Sequence, residues 1–151
     1  KEQENFQSLI TSGRGFLPNW SPSGKLLAYS VYQSQNGYLP TLWVSGASPD
    51  NINAGRRNLN LNTWADKCAW QDETVLICGV PTTLGEGAAL QRSLFENVPD
   101  TIYRINIATG QATILGPLEG NGSVGQISVS PGSDMVFITE KRTGKLFRFS
   151  L

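Results

Sequence analysis

The sequence predicts an all-β chain folded as three four-stranded antiparallel sheets, and three observations predict it. The stretch Trp20-Ser21-Pro22-Ser23-Gly24 is followed at once by Lys25-Leu26-Leu27-Ala28-Tyr29-Ser30. An aromatic closes one strand, Pro22 presets φ for a turn, Gly24 supplies freedom at its end, and an apolar run starts back, so this reads as a hairpin. The pattern returns twice in degraded form, and the internal anchors Trp20, Trp70 and Val129 lie 50 and 59 residues apart. Composition agrees: charged residues are only 16 %, while Gly, Ser, Thr and Asn are plentiful, a bias that suits short strands and many turns. No stretch shows convincing helical periodicity, and residues 88–95 are the one candidate for a turn of helix.

In chain order, Phe6 to Thr11 is a short apolar-containing run that reads as a strand, broken by Gly13-Arg14-Gly15. Phe16 to Trp20 leads into the opening hairpin and Leu26 to Tyr32 returns from it. Gln33 to Pro40 is a polar loop holding the turn pair Asn36-Gly37. Thr41 to Val44 is a third strand, and a weak fourth lies around Arg57 to Leu61. The cycle restarts with Trp64 to Lys67 leading into Cys68-Ala69-Trp70, a turn at Gln71 to Glu73, and Thr74 to Val80. After a long loop from Pro81 to Pro99, Thr101 to Ile107 alternates at period two and Gln111 to Leu115 pairs back. The third cycle holds Gln126 to Ser130, a Pro131-Gly132 turn, Met135 to Glu140, a turn at Arg142 to Gly144, and Lys145 to Leu151.

Repeat spacings of this size, with four short strands each, are the mark of propeller blades. The residues "NWSPSGKLLAYSVY" and "TLWVSGAS" resemble the repeat of TolB-like propellers, which are related to the propeller domains of prolyl-oligopeptidase-type enzymes. Residues 20–25 match that repeat closely, with Ser23 where the family favours Asp. The second copy lacks Pro and Gly, and the third lacks the aromatic. The resemblance implies one propeller-type domain over residues 1–151, with blades near 15–61, 64–115 and 126–151. Residues 6–11 then read as an outer strand closing the last blade. Three blades cannot close a ring, since propellers use four to eight. The expectation is therefore a partial propeller, or half of a six-bladed one completed by a homodimer, because an open stack would expose apolar sheet faces. The chain opens Lys-Glu-Gln-Glu-Asn without an initiator Met or a signal-like segment, which predicts a processed or excised piece.

Charge and residue types narrow the function. Twelve basic residues balance twelve acidic ones, which gives no electrostatic reason to expect nucleic acid or an anionic membrane as partner. No apolar run approaches the length of a membrane helix, so no membrane insertion is expected. There is no histidine, which removes most zinc, haem and imidazole-based acid–base sites. No Gly-x-Ser-x-Gly elbow and no Asp-rich calcium loop is present, and no spacing selects a carboxylate pair. The expectation is a chain that is no enzyme and uses no cofactor and no metal.

Cys68 and Cys78 sit on the two arms of the second hairpin, near enough in register to be cross-strand neighbours. They read either as a structural disulfide in an extracytoplasmic compartment, periplasmic, secreted or at the cell surface, or as two small buried thiols. Trp20, Trp43 and Trp70 read as packing between blades, and Asp100 as a turn residue starting a strand. Function is expected on the loop-rich face. Loops of 19 residues, as from Pro81 to Pro99, are uncommon and are functional or disordered. Trp64 and Asp66 stand at the mouth of the second blade, where they can bind a sugar or peptide, or else cover the blade junction and cap a turn. With Tyr38, Arg92, Phe95, Glu96 and Arg142 they form the candidate ligand-binding set. The expected activity is recognition of a protein or peptide. The alternatives are a carbohydrate-binding or glycan-processing propeller, and the regulatory propeller of a larger peptidase.

Overall fold

The computed structural model of the chain describes residues 6–151, whose strands form three antiparallel sheets. The first sheet runs in the order β1 (Arg14–Trp20), β2 (Leu26–Tyr32), β3 (Thr41–Gly46) and β4 (Arg57–Asn58). The second is β5 (Cys68–Trp70), β6 (Val75–Pro81), β7 (Asp100–Asn106) and β8 (Ala112–Pro117). The third holds β9 (Val124–Val129), β10 (Met135–Glu140) and β11 (Leu146–Ser150). Each sheet is an up-and-down meander, because every strand is joined to the next by a turn or loop and pairs with it. The blade-like sheets stack on one another without closing.

The turn chemistry is that of the sequence. In the first hairpin Gly24 N–H donates to the Ser21 carbonyl at 2.9 Å, and Gly24 takes φ +72°, which a side chain would resist. Gly132 repeats this at φ +70° in the third sheet. The second hairpin has no glycine, and a carboxylate does the work instead. Asp72 Oδ1 accepts from the backbone N–H groups of Thr74 and Val75 and from the Thr74 hydroxyl, at 2.7, 3.0 and 2.7 Å. The Thr74 hydroxyl, followed by these amides, holds the Asp72 carboxyl below its ordinary range. Neighbouring hairpins then touch: Ser23 N–H donates to Glu73 Oε1 at 2.6 Å, and Gln71 Nε2 to Asp134 Oδ1 at 3.0 Å.

Two apolar layers hold the stack. Between the first and second sheets lie Ala28, Leu42 and Val44 against Trp70, Leu76, Cys78 and Ile105. Between the second and third lie Val75, Ile77 and Ile102 against Val124, Val136 and Ile138, with Phe147 and Phe149 at the margin. Period-two alternation gives the second sheet two apolar faces, with Leu76, Cys78 and Ile105 on one and Val75, Ile77 and Ile102 on the other, and removing such side chains from water is the main term favouring the stack. Asn19 stitches the first seam: its Nδ2 donates to the Ala65 and Cys68 carbonyls at 2.9 and 2.8 Å, while its own carbonyl accepts from Trp70 Nε1 at 3.1 Å. Cys68 and Cys78 face each other directly in the β5–β6 register and form a disulfide, with Cα atoms 4.0 Å apart.

Four expectations need correction. The third sheet has three strands, not four. Residues 6–11 form no strand and lie against the first sheet. There Asn53 accepts from Ile10 N–H at 2.7 Å and donates to the Ser8 carbonyl at 2.9 Å, and Arg56 donates to the Ile10 carbonyl at 3.1 Å. Reach explains this. Stacked sheets are about 10 Å apart, so the third lies about 20 Å from the first, whereas the chain from Thr11 to Arg14 spans about 11 Å at most. Third, Trp20 and Trp43 do not pack between sheets. Trp20 pairs with Leu27 and Trp43 with Tyr29, which places both on the outer face of the first sheet with Val31 and Leu9. Trp20 is 55 % exposed, and Arg56 stacks over Trp43 at 5.9 Å. Only Trp70 occupies the seam. Fourth, the weak strand expected at Arg57 to Leu61 ends at Asn58. Asn60 turns to φ +56°, although Leu59 and Leu61 still bond Leu42.

Candidate functional site

The long loop after β6 crosses from its own sheet to both neighbours. Gly87 and Ala89 N–H donate to the Gly37 and Tyr38 carbonyls at 2.8 and 3.0 Å, which fastens it to the loop after β2. At its far end Glu96 pairs with Lys141 of the β10–β11 turn at 3.7 Å. A single turn of 3₁₀ helix at Arg92–Phe95 lies between these anchors, where the sequence allowed a helical turn. The loop is thus a strap over one end of the stack, and it carries Arg92 to a fixed place.

That place is defined by Trp64 and Asp66, which precede β5. Trp64 is buried, and the Arg92 guanidinium stacks over its ring at 4.7 Å. Nη2 of Arg92 donates to both Asp66 oxygens, at 2.9 and 2.8 Å. Three of the seven sequence candidates therefore meet in one cluster. Stacking on an indole face and pairing with a carboxylate are both favourable for a guanidinium, though a partly exposed pair contributes little to stability. Arg92 also lines a pocket of about 310 Å³ with Phe16, Tyr32, Pro40, Trp64 and Ala89. Because Asp66 takes both its bonds from Nη2, the Nη1 N–H groups are left for another acceptor.

The other candidates fall around this cluster or away from it. Tyr38 lies at the rim, its ring edge-on to Tyr32 at 6.3 Å, and lines a neighbouring pocket with Ser12, Arg14 and Gln33. Phe95 packs beside Gly85 within the loop itself. Glu96 is held by Lys141. Arg142 is not brought to the cluster. It lines a separate small pocket with Glu119, Glu140 and Thr143.

Sequence reading missed the buried ion pair of the fold. Lys67 Nζ donates to both oxygens of Asp100, at 2.9 and 2.7 Å, and to Ser123 Oγ at 3.1 Å. Asp100 Oδ2 also accepts from the Val124 N–H at 2.6 Å and from the Ser123 hydroxyl at 3.2 Å. Burial pulls the Lys67 ammonium below its ordinary pKa, opposed by the Asp100 charge and its hydrogen bond. The network ties the starts of β5, β7 and β9 together, one residue along the chain from Asp66. Its only sequence signal was a carboxylate and an ammonium, each just before or at a strand start. Among the described residues no group of His, Cys, Asp and Glu is placed to hold a metal ion, and no helix is long and apolar enough to cross a membrane.

No protein-family model matches the chain, and a search of curated proteins finds no match. Among solved structures it is similar to a protein described as a conserved lipoprotein of Clostridium novyi NT, with a TM-score of 0.54 and 16 % identity, over 93 % of this chain and 88 % of that one. This likeness shows a shared fold. Weaker likenesses run to the tricorn protease (TM-score 0.46, 12 % identity, 89 % of this chain and 16 % of that one) and to the AtxE2 isopeptidase in its apo form (0.44, 11 %, 88 % and 33 %).

Proposed function

We propose that the chain is a propeller-type module that binds a protein or peptide segment at the strap-bearing end of the stack and performs no chemistry of its own. The observation that carries the reading is Arg92, held over Trp64 and by Asp66 at the wall of an apolar and aromatic pocket. A preformed guanidinium beside Phe16 and Tyr32 suits a segment offering a carboxylate or backbone carbonyl next to an apolar side chain. The fold analogy with TolB-like propellers rests on the residue 20–25 motif and on the meandering, stacked sheets. It supports architecture rather than ligand. The disulfide supports an extracytoplasmic setting, where such bonds persist.

A sugar-binding reading centred on Trp64 is less well supported, because that ring is 4 % exposed and has Arg92 over its face. To test the peptide reading, a displayed random-peptide library is selected on the immobilised 151-residue chain. Selected peptides should lose at least tenfold in affinity on Arg92→Ala, and should not be retained when residues 85–97 are replaced by a short Gly-Ser turn. Circular dichroism should stay unchanged in both variants. Peptides that bind wild type and both folded variants equally would overturn the proposal.

A further inference from the structure

The first and second sheets each carry four strands and the third only three, so β11 is a bare edge. Its exposed groups can be counted. Glu140 N–H bonds the Lys145 carbonyl, and Leu151 N–H bonds the Asp134 carbonyl. With the intervening register, this makes Ile138–Phe147 and Val136–Phe149 the hydrogen-bonded pairs. The N–H and C=O groups of Leu146, Arg148 and Ser150 therefore point outward, away from β10. Beside them runs a groove of about 310 Å³, walled by Phe147 and Phe149 on one side and by Ile102, Leu115 and Pro117 of the second sheet on the other. Backbone groups in a row beside an apolar trough are the two requirements for adding an extended strand, the first for affinity and the second for alternate side chains.

The chain contains a segment of that kind. Phe6-Gln7-Ser8-Leu9-Ile10-Thr11 has the length and apolar content of a strand yet forms none. Phe6 is 90 % and Ile10 58 % exposed, and the segment's hydrogen bonds to Asn53 and Arg56 are all in solvent. It covers only part of the first sheet's outer face, where the Tyr29 hydroxyl is buried without a partner among the described residues. The short tether from Thr11 to β1, about 11 Å, cannot carry this segment across the second sheet to β11 of the same molecule. A second molecule is under no such limit. We infer that β11 takes residues 6–11 of a second copy of this chain as its fourth strand, so that two copies associate by strand exchange. The inference is independent of the peptide-binding reading, which rests on Arg92, Trp64 and Asp66.

The experiment is light scattering across a concentration series on the 151-residue chain, with two variants. Arg148→Pro removes an outward N–H and leaves the β10 ladder intact, and proline is tolerated at such an edge position. The second variant lacks residues 1–11. Wild type should show the mass of two 16.4 kDa chains at high concentration. Both variants should weaken association at least tenfold while keeping the wild-type circular dichroism. A synthetic peptide of residues 5–12, added in excess, should dissociate the wild-type dimer. If Arg148→Pro fails to fold, the truncation and the peptide competition still decide. A monomer at every concentration, a dimer indifferent to truncation and peptide, or a monomer whose β11 edge takes up an unrelated extended peptide instead would each overturn the inference.

Discussion

Lys67 and Asp100 form an ion pair almost wholly withdrawn from water, their side chains 5 % and 0 % exposed and 2.7 Å apart. Two charges withdrawn from water are tolerable only when their remaining hydrogen-bonding capacity is used, and here Ser123 and the Val124 amide use it. Removing one partner leaves the other charge buried and uncompensated. Lys67→Met should destabilise the fold by about 3–5 kcal/mol in urea unfolding, and Lys67→Met/Asp100→Leu should recover most of that loss. If the single variant matched wild type, the pair would have no structural role.

The disulfide between Cys68 and Cys78 closes a short loop, since the two residues are 10 apart in sequence. By the chain-entropy relation such a closure is worth roughly 2–3 kcal/mol against the unfolded chain. Urea unfolding with and without reductant should differ by about that amount. Thiol titration of the unreduced, denatured protein should find no free thiol.

Glu140 predicts an acid limit. Its carboxylate accepts from the Thr143 hydroxyl and the Thr143 N–H, both at 2.6 Å, and these bonds hold its pKa down to about 2. The folded value lies below the ordinary value near 4.3 of the unfolded chain, so the bonds contribute fully above about pH 4.3 and are lost as pH falls towards about 2. In thermal melts, the advantage of wild type over Glu140→Gln should be constant from pH 7 to 5 and shrink between pH 4 and 2. An advantage that did not change over that range would refute the assignment.

Gly79 marks a close approach of the second and third sheets. A Cβ there would meet Val124 Cγ2 at 2.5 Å and Val124 Cβ at 3.1 Å. Gly79→Ala should cost about 1–3 kcal/mol by overpacking, and Gly79→Ala/Val124→Ala should cost less than the sum of the two single changes. Strict additivity would show that the contact is not felt.

What was legible in the sequence was local. Leu26–Tyr32 and Met135–Glu140 follow from a turn signal and an apolar run, and their bounds are those of β2 and β10. That Cys68 and Cys78 are cross-strand neighbours follows from counting back from a hairpin turn, while the choice between a disulfide and two buried thiols was settled only by their direct register. Of the candidate site, Trp64, Asp66 and Arg92 were found because an aromatic, a carboxylate and a guanidinium were placed on the same end of the stack. What was not legible depended on distances between units. Period two says that Trp20 alternates with its neighbours, but not which of two apolar faces is covered. Residues 6–11 have strand composition, yet their pairing depends on reach. Asp100 looks like a turn residue until Lys67, 33 positions earlier, is brought beneath it.

Among the described residues the sheets are held to their neighbours through an apolar seam at each junction, through polar bonds at Asn19 and at the Lys67–Asp100 pair, and through hairpin tips joined at Ser23–Glu73 and Gln71–Asp134. Energetically this is a one-dimensional array of three units, in which stability is the sum of each unit's own and two coupling energies. The middle unit alone has both couplings, and it also carries the crosslink and the buried ion pair. Amide exchange should accordingly be slowest in β6 and β7 and quicken outward in both directions. The molecule behaves as a clamped centre with two ends that fray independently, and association through either end would raise protection there before anywhere else.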